Sequence, residues 1–390
     1  MNEIVSHFNH MNQTWSFSVN NSQTRNENVD IEFIKQEIGQ RFPFYDMRVI
    51  GQNLAFYCTM DSANFDYLFD ELCKLLSQKG YITFLRHERG EDIIYVTKKA
   101  FRKEKSIWIN IILLIATIIT TMITGSLLHI GVSDLQSLEY AWSVLYPENL
   151  LFGTIYFSFP LLSILFIHEM GHYFTSKKHG IHTSLPFFLP IPPIVPGFNI
   201  GTFGALISSH DPMPNKKALF DVGISGPLAG FIVAIPVTII GLITSDFVSV
   251  DSIITGETIL GSSLLFELLS SIFVTIPEGF ALTLNPIAFA GWIGLLITSI
   301  NLLPAGQLDG GHIFRAIFGD KQKYAGWIAV FIMIFTGWIF FAFIIILLIG
   351  MNHPPPLNDE GSLDFKRKIL FVVAVSILIL CFIPYPIVTL

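Results

Sequence analysis

The stretch FIHEMGHYF, residues 166–174, sets two histidines, a glutamate and a glycine inside a run that otherwise reads as lipid-soluble. At a bilayer's centre each charged group costs about 2.5 kcal/mol or more, so such residues mark functional sites by default. The rest of the chain supports a membrane setting. It is 52% hydrophobic and only 14% charged, and the apolar excess is concentrated after Ile107. Blocks near 107–129, 150–174, 218–244, 286–304, 325–350 and 369–388 each hold the roughly 20 apolar residues that a bilayer core requires. The expected architecture is a polytopic α-helical membrane protein of about six transmembrane helices, preceded by a small soluble α+β domain.

Residues 30–105 make that domain. VDIEFIKQEIGQRF and NFDYLFDELCKLLSQKG have helical spacing, and RVIGQNLAFYCTM reads as a hairpin turning at Gly51-Gln52-Asn53. YITFLRHE and IIYVTK make a second strand pair, so the order α-β-β-α-β-β predicts a sheet with its helices on one face. No catalytic constellation stands in it, and a regulatory or assembly role is expected. Arg86, His87 and Glu88 read as a solvated strand end. Residues 1–29 read as a disordered lead-in without the basic start and apolar core of a signal peptide. Residues 106–390 form the membrane domain. Cys58, Cys73 and Cys381 are too few and scattered for a disulfide framework or a metal cluster. No basic cluster interleaved with aromatics suggests nucleic acid; the partners expected are the lipid bilayer and a transmembrane protein substrate.

Lysines and arginines set the sidedness. Five in 98–105 place the N-terminus in the cytoplasm, whereas loops 130–149 and 246–285 have none and belong outside. Lys177, Lys178, Lys216, Lys217, Arg315, Lys321 and Lys323 then fall inside, and the FIHEMGHYF site lies toward the cytoplasmic side. Lys366-Arg367-Lys368 disagrees, because six spans put it outside. ILGSSLLFELLSSIFVTI, 259–276, is read as interfacial. SLPFFLPIPPIVPGFNIGTFGALISSHDPMP is apolar yet too rich in proline and glycine for a helix. It is expected to be a re-entrant loop with a short β-hairpin, in which Gly201 and Gly204 permit close backbone approach.

His168 and His172, four residues apart, stack on one helix face about 6 Å from each other. Two imidazoles so placed reach one zinc ion, and Glu169, about 100° around the helix, addresses a water as general base. A third ligand is needed at the same depth. SINLLPAGQLDGGHIF, 299–314, offers Asp309, after a helix broken by Pro304 and Gly306, or His312. Asp309 is the better placed, since His312 follows two glycines and has a less fixed approach. Asp309 also reads as a helix N-cap, a role it could not easily combine with ligation.

HEMGH with NLLPAGQLDGG resembles the site-2 protease family of intramembrane zinc metalloproteases. GTFGALI (201–207), FDVGISGPLAG (220–230) and HPPPLN (353–358) point to its archaeal members and to the plastid branch named for ethylene-dependent gravitropism deficiency. The resemblance spans about 150–388 and extends to the domain at 30–99. It implies one Zn2+ held by His168, His172 and Asp309, with Glu169 as base and Asn301 steadying the substrate backbone or the oxyanion. It also implies that Gly201, Thr202, Phe203, Gly204 and Ala205 offer a strand edge to an unwound substrate, and that spans one, five and six form a lateral gate. The expected activity is endopeptidase cleavage within or near transmembrane segments, in a prokaryotic, archaeal-like cell membrane. Two rival readings are a catalytically silent zinc-containing binder of membrane proteins, which the presence of Glu169 disfavours, and a transporter, which predicts matching breaks in two halves.

Overall fold

The computed structural model describes residues 30–50, 53–59, 64–99, 106–130, 142–192, 200–209, 211–252 and 258–389. The lead-in and the Gly51-Gln52 turn lie outside these. The chain divides into two compact units.

The first unit holds the described residues up to 99 together with Pro212–Leu219 and Pro354–Asp364. Its elements follow the order α1 (Ile31–Arg41), β1 (Phe44–Ile50), β2 (Asn53–Cys58), α2 (Phe65–Gln78), β3 (Tyr81–Glu88) and β4 (Glu91–Lys98). Asp30 caps α1, its Oδ1 accepting from the Phe33 amide at 3.1 Å. Ile34 and Ile38 of α1, and Phe69, Leu72 and Leu76 of α2, pack with Leu54, Phe56, Ile94 and Val96, so both helices cover one face of the sheet. The antiparallel strand order is β1-β2-β4-β3. Arg89 and Gly90, at φ 54° and 84°, close β3 onto β4 as a two-residue turn with both residues left-handed, the twist a hairpin favours. Burial pushes the Cys58 thiol up to about 12, which leaves it inert as a nucleophile.

The β3 edge is not solvated as expected at Arg86. The Leu85 amide donates to the Leu357 carbonyl at 2.8 Å. Arg86, 7% exposed, donates to the carbonyls of Pro356 at 2.9 Å and Leu357 at 3.1 Å. An edge that offers unpaired amides is thus covered by a segment 270 residues away in sequence.

The second unit is mostly helical. Among the described residues three helices are long and apolar enough to cross a bilayer: α3 (Ile107–Ile130), α4 (Pro147–Lys178) and α5 (Lys216–Ile243). Thr117 in α3 returns its hydroxyl to the preceding turn, donating to Leu113 O at 2.8 Å, which satisfies it without water. α4 contains a π-helical turn at Thr154–Ser158. It crosses α3 where Gly125 meets Gly153, so closely that a Cβ on Gly125 would lie 2.6 Å from the Gly153 carbonyl. Between α4 and α5 stands an antiparallel hairpin, β5 (Phe187–Pro190) with β6 (Thr202–Leu206). Beyond α5, β7 (Asp246–Ser249) pairs with a later strand, β8 (Thr258–Leu260) with the C-terminal one, and α6 (Leu264–Phe273) has ten residues, half of what a bilayer core requires.

β9 (Phe280–Thr283), the partner of β7, leads into α7 (Pro286–Asn301), buried on nearly all sides. It closes on α5 through Gly291, whose added Cβ would stand 2.5 Å from Thr238 Oγ1. α8 (Asp309–Phe318), α9 (Gln322–Phe335), α10 (Ile339–Ile344, continuing as a π-turn to Ile349), α11 (Phe365–Cys381) and β10 (Ile387–Thr389), the partner of β8, complete the chain.

The expected span at 325–350 is therefore two helices and not one. Gly337, at φ 74°, turns the chain between α9 and α10, and the Trp338 amide closes the turn on the Met333 carbonyl at 3.0 Å. After α10 the chain returns to the end from which α9 set out. Gly350 O lies where a Cβ on Gly306 would be 2.1 Å away, and His353 Nε2 is 2.7 Å from His312 Nδ1. The same end holds the start of α11. Arg367 donates Nε to Asp221 Oδ1 at 2.7 Å, and Asp221 Oδ2 also takes His179 Nε2 at 3.0 Å. Lys366-Arg367-Lys368 thus starts beside the end of α4 and the first turns of α5, which removes the conflict that six continuous spans create.

Candidate metal centre

α4 carries His168, Glu169 and His172, each less than a tenth exposed. The two imidazoles stand edge to face with their Nε2 atoms 3.2 Å apart. Asp309 closes the group from α8, with Oδ2 3.3 Å from His168 Nε2 and Oδ1 3.3 Å from His172 Nε2. These three contribute ligand atoms that all lie within 4.8 Å of one another. Tetrahedral donors about 2.0–2.1 Å from a common ion are about 3.3 Å from each other, close to the spacing of the two imidazole nitrogens, and the carboxylate faces each ring with one of its oxygens, so the donor set fits zinc. The second ring nitrogen of His172 supports the same reading. Nδ1 lies 2.8 Å from the Val222 carbonyl, which can only accept, so Nδ1 holds the proton and Nε2 offers its lone pair to the triangle.

Asp309 is the first residue of α8, and its N-cap is Leu308, so the capping role does not compete with ligation. The glycines after it let α8 begin against the preceding turn: a Cβ on Gly310 would lie 2.0 Å from Leu302 O, and one on Gly311 2.1 Å from Gly306 O. His312, the rival ligand, is outside the triangle and bonded to His353. Asn301, the last residue of α7, brings Nδ2 to 3.3 Å from His168 Nε2. Glu169, 6% exposed, makes no hydrogen bond or ion pair with the described residues, which leaves its carboxylate available to a water. Gly201 directly precedes β6, which carries Thr202 to Ala205 and packs against α4; Phe203 is 68% exposed. Of its two glycines only Gly201 is closely approached, by the α3 backbone, whereas Gly204 takes a positive φ with open space about it.

Sequence reasoning missed the part played by α5. A Cβ on Gly226 would meet His172 Nε2 at 2.0 Å, one on Gly230 would meet His168 Cβ at 3.1 Å, and one on Gly223 His312 Cβ at 2.7 Å. The glycine within HEMGH has the same cause, since a Cβ on Gly171 would lie 2.5 Å from Ser225 O. The signal was present in SGPLAG, whose small residues recur at helical spacing opposite the ligand helix.

Residues 156–343 match the sequence model of Peptidase family M50, a stretch that holds His168, His172, Asp309, Glu169 and Asn301. Over that stretch, just under half of its length, the chain is similar to this peptidase family. Three of the curated proteins to which the chain is similar are plant proteins. One, named probable zinc metalloprotease EGY1, chloroplastic, from Oryza sativa subsp. japonica, is 30% identical over 242 residues, 58% of this chain and 40% of the relative. Another, probable zinc metalloprotease EGY2, chloroplastic, from Arabidopsis thaliana, is 32% identical over 233 residues, 57% and 40% of the two chains. Probable zinc metallopeptidase EGY3, chloroplastic, from the same plant, is 34% identical over 176 residues, 40% and 29%. The chain thus spans about two fifths of the length of the first two relatives. They support the gravitropism-deficient-like branch and correct one expectation. Their chloroplastic names point to a plastid membrane, so the prokaryotic cell membrane, with its cytoplasmic N-terminus and cytoplasm-facing site, is not retained.

Proposed function

We propose that this chain is a zinc endopeptidase that hydrolyses peptide bonds within or near transmembrane segments of membrane proteins. One observation carries the reading: two buried imidazoles with Nε2 atoms 3.2 Å apart and a half-buried carboxylate whose two oxygens each lie 3.3 Å from one of them, beside a buried glutamate on the histidines' helix. His168, His172 and Asp309 would hold the ion. Zinc bound there supplies a Lewis acid that acidifies water and polarises the scissile carbonyl. Glu169 accepts the proton of the attacking water at its carboxylate and returns it to the leaving amine nitrogen. The Asn301 amide donates to the carbonyl oxygen as negative charge gathers on it. A helical substrate shields its own carbonyls, so it must unwind, and the β6 edge receives the extended segment by strand addition. The hairpin is re-entrant on this reading, and the first unit has a regulatory or assembly role.

The test compares zinc content and cleavage of a transmembrane fusion substrate in wild type and Glu169→Gln. One zinc in each, with cleavage by the wild type alone, is expected. Cleavage by both would remove Glu169 as base. Zinc in both with no cleavage of any transmembrane substrate would favour the silent binder.

A further inference from the structure

From the mooring of the hairpin we infer that Asn110 and Thr120, both on α3, are positioning residues that hold the β6 edge at a fixed distance from the metal centre. This rests on the strand-addition reading above and assigns residues that it did not contain.

Asn110 is in the first turn of α3 and 8% exposed, a costly place for an amide with no task. Its Nδ2 carries two protons and has two acceptors, Leu185 O at 2.7 Å and Pro186 O at 3.0 Å, just before β5. Thr120 has one hydroxyl proton, and its closest acceptor is Gly201 O at 2.6 Å, just before β6, ahead of the helix carbonyls of Ala116 at 3.0 Å and Thr117 at 3.1 Å. The strands are antiparallel, so these carbonyls lie at opposite ends of the ribbon. Ten residues of helix rise about 15 Å, which matches the length of a ribbon of four or five residues per strand. The hairpin therefore lies lengthwise along α3 and is fastened at both ends.

Contact at the second fastening is direct. A Cβ on Gly201 would stand 2.7 Å from Thr121 Cα, and φ there is 79°. Within the ribbon, Thr202 Oγ1 donates to Leu189 O at 3.0 Å and accepts from the Gly204 amide at 3.0 Å. β5 lies on α3, while β6 lies against α4, the helix of His168 and His172. α3 is itself tied to α4 by Thr121 Oγ1 and Ser158 Oγ at 2.6 Å, near the Gly125 crossing. Helix, ribbon and ligand helix form one closed mechanical loop. Swinging the first span away from the ribbon alone would strand three carbonyls in an apolar setting, so span and ribbon hold together.

The experiment uses the full chain in lipid nanodiscs with a transmembrane fusion substrate, comparing wild type with Asn110→Leu, Thr120→Val and Thr120→Ser. Each apolar variant should raise KM about tenfold while kcat and one zinc per chain stay as in wild type. Thr120→Ser, which keeps the hydroxyl, should remain within about twofold of wild type. Amide hydrogen exchange of residues 187–190 and 202–206 should quicken in the apolar variants only. An unmoved KM would overturn the inference, as would a fall in kcat and zinc together with KM constant, which marks a purely structural role. Should wild type cleave no transmembrane substrate, the protease reading fails, and the exchange rates still decide the mooring: equal rates in all four proteins overturn it.

Discussion

Replacing Gly226 with alanine tests the arrangement of the metal centre more sharply than replacing a ligand. The new methyl would stand 2.0 Å from His172 Nε2, 2.4 Å from Cδ2 and 2.5 Å from Cε1, where ordinary contact begins at 3.4 Å. The ring must retreat by about 1.4 Å, or the two helices must part, whereas ligand distances tolerate only about 0.2 Å. α4 and α5 have little freedom to part, because Gly171 already brings them to backbone contact at Ser225. Zinc affinity should therefore fall about 100-fold or more, beyond the usual effect of a residue outside the ligand set. Alanine raises helix propensity by about 1 kcal/mol over glycine, so a loss cannot be blamed on the helix itself. Gly230→Ala is the control: its methyl meets His168 Cβ at 3.1 Å and Nδ1 at 3.2 Å, a shift of a few tenths that should cost no more than about tenfold. Affinity is read by titrating chelator-stripped protein with zinc against a competing dye. Wild-type affinity in Gly226→Ala would refute the packing of α5 on the ligand ring.

Asp309→Ala should abolish stoichiometric zinc, whereas His312→Ala should retain one zinc per chain; elemental analysis of the purified proteins decides between them, and the reverse pattern would exchange their roles. In a chain whose three native cysteines are replaced, cysteines at positions 178 and 366 should react with a membrane-impermeant maleimide from the same side; labelling from opposite sides would contradict the start of α11 beside the end of α4. The hydrogen bond to Asp92, 2.7 Å away, and its charge hold the His87 imidazole above its ordinary 6.5. A raised histidine stabilises the fold fully below the unfolded value, and that contribution fades as pH rises through the folded one. NMR titration should therefore place His87 above 6.5 in wild type and near it in Asp92→Asn; identical midpoints would deny the pairing.

The helix of His168 and His172 was legible because its signal is local. Four-residue spacing fixes which face His168 and His172 share, and the setting inside an apolar run makes three polar groups conspicuous. Asp309 was legible by chemistry more than by spacing, as a carboxylate just past a broken helix. The glycines of α5 were not, since a glycine beside a ring 54 residues away leaves no trace but smallness. Hydropathy also hid the break between α9 and α10. Every residue from Trp327 to Phe335 is apolar, and so is the run after Trp338, so one glycine at 337 was the whole signal for a reversal. Burial of Arg86 failed for another reason: its acceptors are backbone carbonyls of residues 356 and 357, and a carbonyl is the same in every sequence.

The α9–α10 turn has a consequence for the surrounding lipid. The helices rise about 21 and about 16 Å, against an apolar bilayer core of about 30 Å. Their outward side chains, including Phe331, Phe335, Phe340, Phe343 and Leu348, are all more than 60% exposed and are suited to acyl chains. On the proposed membrane reading, a wall shorter than the apolar core creates a hydrophobic mismatch, which a thinner bilayer beside it would relieve. A transmembrane helix arriving on that flank is longer than the membrane it finds there. Part of its apolar length would then meet water before it has touched the protein.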